Sequence, residues 1–109
     1  MANEEPDPKR LALQALLEEI SGYAEPDVHF QPPPNVELEY PCIIYKRDDA
    51  KTEHADNRPY RFTQRYQVMV ISKKPDNPVL AKIAALPLCS YSRFYTAENL
   101  NHDVYNLFY

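Results

Sequence analysis

A chain of 109 residues has room for one domain and one modest core. Its net charge of −4 argues against a generic nucleic-acid binder, and no apolar run approaches the length of a membrane span. With a single glycine there is no material for a glycine-rich phosphate loop or a dinucleotide fingerprint.

In chain order, the N-terminus MANEEPDPKR is acidic and proline-bearing, and no apolar signal core follows it. Residues 1–6 read as disordered. Asp7-Pro8 then reads as an N-cap followed by proline at the first helical position, where its missing N–H costs nothing. Leu13, Leu16, Leu17 and Ile20 recur at helical spacing, with Leu11 near the same side. Gln14, Glu18 and Glu19 fall away from that stripe. The helix is expected to end at Ser21, because Gly22 suits the left-handed residue that closes a helix. At this length it is not stable alone, so its leucines must pack on a sheet.

Residues 24–41 read as extended, with a short strand at Val28-His29-Phe30 and a rigid spacer at Pro32-Pro33-Pro34. Cys42-Ile43-Ile44-Tyr45 reads as a short buried strand. The following segment KRDDAKTEHADNR contains no apolar residue larger than alanine, so it is expected to be the loop or flexible arm of a long hairpin. Glycine poverty points the same way, to long connections in place of tight turns.

The run RPYRFTQRYQVMVIS, Arg58 to Ser72, is the central strand. Tyr60, Phe62, Tyr66, Val68 and Val70 share one face; Arg61, Thr63, Arg65 and Gln67 share the other, continued by Met69 and Ile71. Its VMVI half is apolar on both faces and is expected to be covered on both. Asn77-Pro78 opens a second helix with Val79, Leu80, Ile83 and Leu86 on one side, and Pro87 ends it. Leu88 to Tyr95 alternates, with Cys89, Tyr91 and Tyr95 on one side and Leu88 and Phe94 on the other. Thr96 to Asn99 is turn-like. Asp103 to Tyr109 alternates too, with Tyr105, Leu107 and Tyr109 on one face and Val104, Asn106 and Phe108 on the other. The expected fold is α+β: one domain over residues 1–109, a mostly antiparallel sheet, two helices on one face, and a long charged hairpin loop.

Chemistry is sparse. Asp48, Asp49, Glu53, His54 and Asp56 could hold a divalent cation, but their spacing fits no calcium loop, and basic residues interleave them. A solvated mixed-charge loop accounts for them better. His102 and Asp103 are adjacent in a strand and so point to opposite faces. Ser90 and Ser92 lack a glycine-flanked turn, and Cys42 and Cys89 sit in apolar runs, reading as buried thiols. Two cysteines are also too few ligands for a zinc site. No cofactor or catalytic residue is expected. The aromatic terminus Tyr105-Asn106-Leu107-Phe108-Tyr109 offers apolar surface on both faces, which fits a contact with a neighbouring chain.

The runs YPCIIYKRDDAKTEHADNRPYRFTQRYQVMVI and LPLCSYSRFYTAENLNHDVYNLFY resemble the tail terminator (tail completion, head–tail joining) proteins of long-tailed bacteriophages. ADNRPY at 55–60 and NLNHDVY at 99–105 carry most of the resemblance, which covers about residues 40–109. It implies a non-enzymatic virion protein forming a hexameric ring. Such a ring caps the tail tube, ends its polymerisation and joins the tail to the neck. The implied partners are further copies of the chain, the major tail protein and a neck or connector protein. DNA would pass through the lumen without specific binding, and no membrane is involved. The implied location is the tail–neck junction of the virion, assembled in the host cytoplasm. The contact residues then expected are Arg47, Asp48, Asp49, Glu53, Asp56, Arg61 and Arg65, with Tyr105, Leu107 and Tyr109 from the terminus. Three alternatives stand beside it: another neck component such as a stopper or head-completion protein, a host-directed interaction protein, or a small metal-dependent hydrolase using the Asp48–Asp56 acids.

Overall fold

A computed structural model describes residues 7–22, 27–33, 37–55 and 58–109, with the side chains of 51, 54, 55 and 58–62 left out. The expected disorder of residues 1–6, the conformation of Pro34, the place of Asp56 and the facing of Tyr60, Arg61 and Phe62 lie outside that description.

Helix α1 spans Pro8–Ser21 and has the caps its sequence calls for. The Asp7 carboxylate accepts the Lys9 N–H at 3.0 Å, satisfying one of the unpaired donors of the first turn. Gly22 closes the other end at φ 73°, donating its N–H to Glu18 C=O at 3.0 Å. Leu13 and Leu17 are fully buried, while Leu16 and Ile20 pack at the margin of the core.

Strands β1 (Val28–Phe30), β2 (Cys42–Ala55), β3 (Arg58–Ser72), β4 (Cys89–Ala97) and β5 (Leu100–Phe108) form one sheet in the order β1-β2-β3-β5-β4. Only β1–β2 is parallel; every other pair is antiparallel. β3 is the middle strand, as its two-faced apolar half requires. Helix α2 is short, Val79–Ala84, and the Asn77 side chain accepts the Val79 N–H at 2.9 Å as its cap.

The core lies between the helices and one sheet face. Leu13 and Leu17 of α1 and Val79 and Ile83 of α2 meet alternate residues of three strands: Ile43 and Tyr45, then Tyr66, Val68 and Val70, then Tyr105 and Leu107. Gln14, expected to face away, instead turns inward. It accepts the Tyr45 hydroxyl proton at 2.6 Å and donates to Val28 C=O at 3.0 Å. A buried tyrosine needs a partner for its hydroxyl, and Gln14 supplies one.

Among the described residues, no helix covers the second sheet face. Ile71 and Val104 are nonetheless buried there, and Met69 is half-buried. Their shelter comes from neighbouring side chains, among them Tyr95, which stacks on His102 with centroids 4.6 Å apart and donates its hydroxyl to the Met69 sulfur at 3.8 Å.

Three expectations change. First, of the two forms expected for the charged segment, Lys46–Ala55 takes the arm and not the loop. β2 runs on through it and pairs with β3 down to Ala55↔Arg58. Beyond Tyr45 the ladder to β1 ends, and beyond Arg65 the ladder to β5 ends, so β2 and β3 continue as a two-stranded ribbon. At ~3.3 Å per residue, the seven or so pairs give an arm ~20–25 Å long. The radius of gyration is accordingly 15.3 Å, above the ~13 Å of a compact domain this size.

Second, the β4–β5 turn is tight although it lacks glycine. The Ala97↔Leu100 pair is closed by Glu98 and Asn99, both left-handed at φ 53° and 64°. Third, a bulge between Tyr91 and Arg93 reverses the alternation in β4. Tyr95 therefore faces His102 on the helix-free side, while Phe94 joins Tyr91 on the helix side.

Candidate interaction surface

The groups that might carry chemistry are spent on structure. Among the described residues, no three His, Cys, Asp or Glu side chains converge as a metal site would need. Both thiols are free. Cys42 and Cys89 lie on β2 and β4 with β3 and β5 between them, so three strand spacings, ~14 Å, separate them. Burial pushes the Cys42 thiol up to about 11 and raises that of Cys89, so neither is an activated nucleophile. His102 and Asp103 face opposite sides of β5, as their adjacency demands. Asp103 accepts the Tyr91 hydroxyl proton at 2.9 Å. Burial, with Asp103 nearby, pushes the Tyr105 hydroxyl up to about 12.

The expected contact residues divide into two groups. Tyr105 and Leu107 are buried in the chain's own core, and the Tyr105 hydroxyl donates to Leu80 C=O at 3.2 Å. Tyr109 packs against the same core, and its N–H donates to Gln64 C=O at 3.1 Å. Tyr105 and Leu107 are therefore taken up inside the chain, while Tyr109 is only partly buried. α2 reaches over β5 and takes up the face that the sequence seemed to leave for a neighbour.

The charged residues cluster at the root of the ribbon. A bulge between Arg47 and Asp49 adds Asp48 as an extra residue and turns it toward β3. Arg65 meets Asp48 at 2.9 Å and lies 3.8 Å from Asp49. This pairing is within one chain and takes up Asp48, while Asp49 stays 64% exposed. Asp49 also accepts the Ala50 N–H at 2.8 Å, and the Arg47 Nε donates to Gln64 at 3.2 Å. Glu53 sits farther out, half-buried, at the Arg61 register position.

One surface was not anticipated. Among the described residues, β4 is an edge strand with no neighbour on its outer side. Tyr91 and Phe94 on it, and Leu88 just before it, are exposed by 54%, 51% and 72%. Pro78 and Pro87 bracket α2 and limit it to under two turns. It touches β4 but leaves Tyr91 and Phe94 about half exposed.

The opposite edge is closed. The outward Val28 C=O of β1 is taken by Gln14, and Pro32-Pro33 follow close behind. The Gln31 side chain accepts the Arg47 N–H at 3.1 Å, ending the third strand there.

No protein-family model matches the chain, and no curated protein matches it.

Proposed function

We propose that this chain is a structural ring subunit: a tail-terminator protein that caps a phage tail tube, halts its growth and joins it to the neck. The reading begins from the resemblance over residues 40–109 and gains support from the shape. The observation that carries it is the pair of unlike, unfilled surfaces on one small domain. One is an apolar open edge at β4, and the other is a charged ribbon reaching beyond the core. Two complementary unlike surfaces allow a head-to-tail contact, which makes a ring where its rotation closes. The two ends of such a ring differ, so one can seat on the tube and the other on the neck.

The ribbon also lacks what would hold it rigid by itself, since a two-stranded hairpin is only marginally stable in water. An arm of this kind is suited to ordering against a neighbour. A cation-dependent hydrolase reading gains nothing from the geometry, because Asp48 and Asp49 are already compensated by Arg65.

The test is tail-tube assembly in vitro with the purified chain added. Tubes of the major tail protein should stop lengthening and carry a ring at one end in electron micrographs. Unchanged tube length and bare ends would reject the reading.

A further inference from the structure

We infer that the outer edge of β4 receives the β2–β3 ribbon of a second copy, so that the ring is stitched by strand addition. This rests on the ring reading above and specifies its contact.

The argument is an elimination among strand edges. An unpaired edge of nine residues, with no proline and no lysine, is a template for another strand. The hydrogen bond from Phe108 N–H to Leu88 C=O sets the phase of the β4–β5 ladder, which turns the Cys89 backbone outward. At the turn end, a two-residue loop closing Ala97↔Leu100 turns Thr96 outward too. The β1 edge of a neighbour cannot fill this place, because Gln14 already occupies its outward carbonyl. A second β4 is a poor match as well. Its sole charge, Arg93, stands at the midpoint of Cys89–Ala97, so centred antiparallel pairing would oppose arginine to arginine. What remains is the ribbon.

Charge agrees with that choice. The outer strand of the ribbon, Asp48–Ala55, carries three acids and one lysine, and Asp49 is 64% exposed. Arg93 on the receiving edge is exposed and cationic. Tyr91 and Phe94, about half exposed, then gain a cover. Each subunit donates an arm and accepts one, as a heterologous ring requires.

Two variants separate donor from acceptor. In the edge variant, Arg93→Glu and Phe94→Asp alter two exposed side chains. In the arm variant, Asn-Gly replaces residues 52–62 and closes the Lys51↔Thr63 pair with a two-residue turn. The full-length double variant Asp49→Lys, Thr52→Lys guards against misfolding of the shortened chain. Light scattering gives the mass of each, and thermal melting confirms folding. The parent should form rings, and all three variants should be monomers. Mixing the edge variant with the arm variant should give a 1:1 complex, since one intact arm then meets one intact edge. Rings from any variant would overturn the strand-addition contact while leaving the ring reading in place. Dimers of the arm variant alone would show edge-to-edge pairing, and failure of the mixture to associate would also overturn it. A parent that stays monomeric with and without tail tubes would reject the ring reading itself.

Discussion

Replacing Leu17 with alanine tests how the helix layer is held. Leu17 is fully buried between α1 and the sheet, in the cluster with Tyr45, Val68 and Ile83. The change removes three carbons, a transfer term of about 2.4 kcal/mol at ~0.8 kcal/mol per carbon. A residual cavity adds to it, since cores relax only partly, and about 3 kcal/mol is expected in total. An unfolding entropy of ~2.1 cal/mol/K per residue puts the corresponding drop in Tm near 13 °C for a chain this size. Leu11 on the same helix is 47% exposed, so Leu11→Ala should cost under ~0.5 kcal/mol. Urea denaturation in the Arg93→Glu, Phe94→Asp background keeps oligomerisation out of the comparison. The midpoint should fall sharply for Leu17→Ala with an unchanged slope, and hardly move for Leu11→Ala. Equal effects from the two substitutions would refute the placement of α1.

Further outcomes follow from the same packing. Val70→Asp puts an unpaired carboxylate in the fully buried centre of β3 and should leave the chain unfolded by circular dichroism. Arg65→Glu sets like charges beside Asp48 and Asp49; with both partners of the pair about 30% exposed, the loss should be about 1 kcal/mol in urea titration. Above neutrality, the folded state holds the Cys42 proton to about pH 11 against an ordinary 9, and the Tyr105 proton to about 12 against 10. Both pKa values are raised, so their contribution to stability is complete below pH 9 and is lost as pH rises from 9 to 12. Cys42→Ala should flatten the pH 9 to 11 part of that decline. Glu98→Asn with Asn99→Gly, which relieves two left-handed residues, should raise stability by about 1 kcal/mol in thermal melts.

Much of the fold was legible where side chains announce their own burial. The Asp7-Pro8 cap, the Gly22 stop, the central place of β3 and the Asn77-Pro78 start of α2 each rest on a local rule. The charged half of β2 was not legible, because its sequence has no apolar period to display. Its pairing with β3 runs along the backbone, with side-chain contacts at the root. The β4 bulge was hidden for a similar reason: one extra residue reverses a face without changing composition. The turn within Thr96–Asn99 was legible, but not its tightness, since a left-handed glutamate and asparagine serve where glycine is usual. At the expected contact residues, Asp48 and Arg65 meet within one chain, and Tyr105 and Leu107 lie in its core. The open β4 edge depends on strand order, which no local pattern displays.

The central claim is that copies of this chain close into a ring. Light scattering of the purified parent protein, alone and in the presence of tail tubes, tests it most directly. The account predicts a single closed species, near 76 kDa for six copies of the 12.7 kDa chain. A mass of 12.7 kDa at every concentration, with tubes present or absent, would contradict it.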